Sequence, residues 1–121
     1  MGALRWTLLL LLAIPTASAF GAGTVTMGDG TELCANYVKL YALDPTHTES
    51  VYFSWAEGYM SARNIDTFVA DKWAFRDLSV WSVEEQKRFI RQYCDNHPLA
   101  EFSKAVKTLY EQFPLRTDQP N

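Results

Sequence analysis

The chain has 121 residues, with 11 basic and 14 acidic side chains, a formal net charge of −3 and 14% aromatic residues. That length fits one domain. The mild acidity excludes nucleic acid or an anionic lipid surface as the main partner, because both demand clustered lysine and arginine.

The N-terminus has the layout of a cleavable export signal. Met1 to Arg5 carries a single positive charge, Trp6 to Ile14 is an apolar run with Thr7 as its one hydroxyl residue, and Pro15 is followed by the small residues Thr16 to Ala19. Cleavage is expected between Ala19 and Phe20. The apolar run is about half the ~20 residues that span a bilayer, so residues 1–19 are read as a signal and stable membrane insertion is not expected. The mature chain is then periplasmic or secreted. It keeps ten basic and fourteen acidic residues, a net charge of −4 that swings to +12 once carboxylates are protonated and both histidines are charged.

Two cysteines in an exported chain usually pair. A Cys34–Cys94 bridge would close a loop of about 60 residues and contribute up to ~4 kcal/mol in the chain-entropy model. Two free buried thiols are the alternative.

Residues 20–30 (FGAGTVTMGDG) form a glycine-rich lead-in with no helical stripe. A helical domain is expected over 31–114. Thr31 can cap a first helix whose apolar face is Leu33, Cys34, Tyr37, Val38 and Tyr41, ending at Asp44-Pro45. Thr46-His47-Thr48-Glu49 reads as a capping box for a second helix, which continues to residue 63 and stops at Asn64. In it Trp55, Gly58 and Tyr59 are assigned to helix packing, with Gly58 marking a close crossing, since glycine inside a helix costs about 1 kcal/mol against alanine.

Residues 65–81 hold neither helical nor strand period. They read as an irregular connection, with a short helix, whose aromatics cover the core. Their length leaves room for a functional surface. Ser82-Val83-Glu84-Glu85 is a second capping box and opens a third helix to about Asp95. Pro98 suits the first turn of a fourth, striped by Leu99, Phe102, Val106, Leu109, Tyr110 and Phe113. Residues 115–121 are a polar tail. The expected fold is all-α, an orthogonal array or distorted bundle of about four helices stapled by one disulfide.

The residues assemble no active site, so an enzyme is not expected. His47 and His97 fall in turns, away from any nucleophile signature. Glu84 and Glu85 sit in a first helical turn, where the helix dipole favours acids. A metal site on Cys94 and His97 lacks further ligands. No catalytic residue, metal or cofactor is assigned.

Cys34 on a first helix, Trp55-Ala-Glu-Gly58-Tyr59, Tyr93-Cys94-Asp-Asn-His-Pro98 and Phe102-Ser-Lys-Ala-Val106-Lys-Thr-Leu109-Tyr110 together resemble the HdeA/HdeB-like small periplasmic proteins. The layout is also similar to the Rap/Tai immunity proteins of type VI secretion, whose Cys-x-Gly-Tyr and Phe-Pro-Cys stand here as Ala56-Glu57-Gly58-Tyr59 and Phe113-Pro114-Leu115. Either resemblance implies a protein-binding protein. The first implies an acid-stress chaperone that holds unfolding clients, with a homodimer as a candidate assembly. The second implies an inhibitor of one secreted effector enzyme.

Overall fold

The computed structural model describes residues 26–71 and 73–117. The expected signal segment, its expected Ala19–Phe20 cleavage site and residues 20–25 of the lead-in lie outside the described residues. Four helices carry the fold: α1 (Cys34–Leu43), α2 (Pro45–Ala70), α3 (Val83–Asn96) and α4 (Phe102–Gln112). Two short strands, β1 (Ala74–Arg76) and β2 (Leu115–Thr117), pair antiparallel, with Phe75 opposite Arg116. Single 3-10 turns occupy Gly28–Thr31 and Leu78–Val80. The fold is all-α in its main elements, and the small sheet is an addition to what the sequence predicts.

Each helix start has a local chemical cause. The first donors of α1 are satisfied by the α3–α4 connection: Cys34 N–H donates to the Ala100 carbonyl (2.8 Å) and Ala35 N–H to that of Pro98 (2.9 Å). A distant segment therefore does what a capping side chain would do. Thr31, expected as the cap, instead donates its hydroxyl to the Gly28 carbonyl at 2.9 Å. Helix α2 begins earlier than expected, because Asp44 accepts from His47 N–H (3.1 Å) and Pro45 takes the first turn. The Thr46–Glu49 box does not form. Glu49 is drawn to α3, where Arg91 and Lys87 hold it. The Ser82–Glu85 box is present in full, with Ser82 N–H donating to Glu85 Oε2 at 2.7 Å.

The core lies between α1, the first half of α2, α3 and α4. Phe102 is fully buried at its centre, its ring 4.8 Å from Tyr52 and 5.3 Å from Tyr37. Beside it the Cys34–Cys94 disulfide joins the start of α1 to the last turn of α3, with Cα atoms 4.7 Å apart. Leu99, expected on the inner stripe of α4, is 84% exposed, since the helix begins only at Phe102.

Two further expectations are corrected. Helix α2 does not stop at Asn64 but runs on to Ala70. Nor is the polar tail without regular structure at its start: Leu115–Thr117 is β2, exposed and fastened where Asp77 pairs with Arg116 at 2.7 Å.

Candidate protein-interaction surface

Asn64 explains both the length of α2 and the position of the sheet. Its Oδ1 accepts from Arg76 N–H (2.9 Å) and from the Tyr110 hydroxyl (2.8 Å), while its Nδ2 donates to the Arg76 carbonyl (2.8 Å). A side chain that would otherwise compete with its own helix backbone is occupied by β1 and α4. Arg76 in turn donates to the Phe113 carbonyl (2.6 Å) and lies 5.4 Å over the Tyr110 ring. This network seats the two-stranded sheet against the distal end of α2.

The sheet and the distal helix frame an apolar surface. Phe68 meets Trp73 edge to face at 4.8 Å, and Asn64, Ile65, Phe68, Val69 and Phe75 line a shallow concavity of about 270 Å³. Ile65 is 64% exposed, Val69 78% and Trp73 45%. The 65–81 stretch therefore divides. Leu78 and Trp81 pack on the core as expected, held by Gln86 Nε2, which donates to both their carbonyls. Ile65, Val69 and Trp73 face solvent.

Trp73 has φ of 78°, and its N–H closes onto the Phe68 carbonyl at 3.1 Å. A bulky residue in the left-handed region is strained, and strain of this kind gathers at functional surfaces. Sequence composition places apolar residues here without saying which face they occupy. Continuing the α2 period past Asn64 would have put Ile65 and Val69 on the outer face.

A second, larger groove of about 620 Å³ runs along α2 between Met27 and a floor that includes Trp55, Gly58, Tyr59 and Ala62. The three residues assigned to helix packing separate here. Trp55 and Tyr59 stack at 5.5 Å and pack on the core. Gly58 is exposed, and a Cβ built on it would meet nothing within 4 Å, so among the described residues no helix crosses there. The close approach belongs to Gly30, whose added Cβ would overlap the Trp55 ring, while Trp55 Nε1 donates to the Met27 carbonyl at 2.8 Å.

Carboxylates fasten the outer parts of the molecule. Hydrogen bonds from Ser79, and Arg116 beside it, hold the Asp77 carboxyl below its ordinary range. Ser82 does the same for Glu85, and Lys107 for Glu111. Inside, burial pushes the Tyr37 phenol up to about 12 and raises that of Tyr52.

His97 is exposed and stacked on Tyr93 at 4.2 Å, and His47 is exposed in the first turn of α2. Among the described residues no group of three potential metal ligands converges, and no helix is long and apolar enough to cross a membrane. Comparison with family models, with curated proteins and with solved structures finds no match.

Proposed function

We propose that this chain is an exported, non-enzymatic protein-binding protein of the HdeA/HdeB-like kind, acting in the periplasm as an acid-stress holdase. The observation that carries the reading is the apolar end of α2, where Ile65, Val69 and Trp73 face solvent around the Phe68–Phe75 concavity. Exposed contiguous apolar surface of this sort marks interaction sites on small proteins.

The fastenings next to it support an acid trigger. The sheet that borders the concavity is held by Asp77, through Ser79 and Arg116. A carboxylate held low stabilises the fold fully above the ordinary range of about 4, and that contribution is lost as pH falls through the lowered value. Acid thus loosens the sheet and uncovers more of Phe75 and Phe68, while the rise of the mature chain towards +12 favours opening. The disulfide limits how far the chain opens.

The preformed concavity also favours a second reading, a Rap/Tai-like inhibitor that plugs one effector enzyme at neutral pH. One assay separates the two. Light scattering from an acid-denatured client, measured with the disulfide-intact mature protein, is suppressed at pH 2–3 and not at pH 7 on the holdase reading. Absence of suppression at low pH sinks that reading and leaves the inhibitor, to be sought by nanomolar capture of a single enzyme at pH 7.

A further inference from the structure

A cleft of about 460 Å³ lies where the 3-10 turn at Gly28–Thr31 meets the first turns of α2. It is about 20 Å along that helix from the apolar distal end. Thr48, Val51 and Tyr52 share one helical face at i, i+3 and i+4, and line the cleft with Leu40, Asp29 and Glu32. Backbone contacts hold both acids in place. The Glu32 carbonyl accepts from Phe102 N–H at 2.7 Å, and the Asp29 carbonyl accepts from Glu32 N–H at 3.2 Å. Trp55, packed on Gly30, anchors the turn through the Met27 carbonyl at 2.8 Å.

The chemistry of the lining is one-sided. Asp29 and Glu32 are half-buried, and among the described residues neither pairs with a cation. No lysine or arginine of the described residues lines the cleft, and His47, exposed, is its one remaining lining residue. Thr48 and Tyr52 are each 5% exposed, yet among the described residues neither hydroxyl has a hydrogen-bond partner. Side chains buried that deeply are ordinarily paired. Because no fully buried side-chain polar atom is left unpaired, both hydroxyls open onto the cleft they line. Burial, then the carboxylates of Asp29 and Glu32, raise the Tyr52 phenol, so that hydroxyl lies within the field of both acids.

We propose that this cleft binds a primary ammonium on an apolar stem, the chemistry of a lysine side chain or a free alkyl diamine. An ammonium brings three donors and no acceptor. The Asp29 and Glu32 carboxylates take its charge, and the Thr48 and Tyr52 hydroxyl oxygens accept from it. The stem lies on Leu40 and Val51, which are 43% and 39% exposed. A bare metal ion lacks its ligands, since no group of three converges among the described residues. The cleft shares no residue with the concavity at Phe68 and Phe75, so the proposal goes beyond the holdase reading and does not rest on it.

The test is an NMR titration of the mature, disulfide-bonded protein at pH 7 with three probes: Nα-acetyl-lysine N-methylamide, cadaverine, and the norleucine analogue that lacks the ammonium. The expected result is saturable binding of both amines with a Kd of about 1 mM, with shifts concentrated at Asp29, Glu32, Thr48 and Tyr52. The norleucine analogue binds at least about tenfold more weakly. Tyr52→Phe keeps the packed ring and removes only the hydroxyl, so it folds and weakens amine binding by about three- to tenfold. Asp29→Asn combined with Glu32→Gln alters two half-buried groups and weakens it by at least about tenfold. Circular dichroism and melting check that both variants are folded. Whichever amine binds tighter identifies the source, a partner protein's lysine or a free diamine, and either order supports the site. No saturation by either amine up to about 20 mM overturns the proposal. Equal binding of the norleucine analogue, or unchanged affinity in both variants, overturns it as well. Neither variant alters Ile65, Phe68 or Trp73, so client holding and amine binding succeed or fail separately.

Discussion

The half of α2 from Pro45 to Met60 and the half from Ser61 to Ala70 are held by different forces. The first contributes Tyr52, Phe53, Ala56 and Met60 to a core closed by the Cys34–Cys94 bond. The second buries far less, with Ile65 and Val69 in solvent, and is tied to the sheet through Asn64, Arg76 and Tyr110. Apolar packing and a covalent bond are indifferent to mild acid. Polar fastenings that include carboxylates are not: the sheet depends on Asp77 with Arg116, whereas the first half keeps its packing and its bridge even when the Glu49 pairs with Lys87 and Arg91 are lost. On the proposed reading, one continuous helix joins a permanent half to a releasable one.

The largest effect should come from the permanent half. Phe102→Ala removes the ring against which Tyr37, Tyr52 and Trp55 pack, and should cost about 3–5 kcal/mol in urea unfolding. A loss below 1 kcal/mol would contradict its place at the core. Reducing the disulfide should lower stability by ~2–4 kcal/mol, with α1 loosening from α3 first, as hydrogen exchange would report.

Asn64→Ala strands the Arg76 N–H and the Tyr110 hydroxyl, and should cost about 1–3 kcal/mol. Here the comparison is sharpened. Exchange should quicken in β1, β2 and residues 65–70, while α1 and α3 keep their protection. Uniform quickening would mean that the two halves are one cooperative unit. Ser82→Ala, which breaks the capping box of α3, should cost about 1 kcal/mol in a thermal melt.

At high pH the order reverses. Buried Tyr37 and Tyr52 have phenols raised above their ordinary value, Tyr37 to about 12, so their contribution is complete below about pH 10 and fades as pH rises towards 12. Base should therefore release the core half, in contrast to acid. Tyrosine absorbance followed alongside far-ultraviolet circular dichroism checks this.

Much of the permanent half was legible in the sequence. Ser82 and Glu85 sit at capping-box spacing and form that box, the α4 stripe is buried from Phe102 to Phe113, and the two cysteines pair. These signals are local, or need only one pairing of two residues. The releasable half was not legible for the opposite reason. Asn64 stops a helix by propensity, and it does not here because β1 and the Tyr110 hydroxyl occupy its side chain. Strands of three residues carry too little pattern to be recognised. Gly58 and Gly30 show the same limit: helical spacing invites a close-packing interpretation at Gly58, Gly30 reads only as lead-in, and the fold alone reveals that Trp55 lies against Gly30 while Gly58 is open among the described residues.

The central claim is that acid releases the distal half and spares the stapled one. Hydrogen exchange of the disulfide-intact protein at pH 7 and pH 3, corrected for intrinsic rates and resolved by segment, tests it directly. The account predicts lost protection in residues 61–77 and 115–117, with α1, α3, α4 and the first half of α2 still protected. Equal loss along the chain, or loss beginning in α1 and α3, would contradict it.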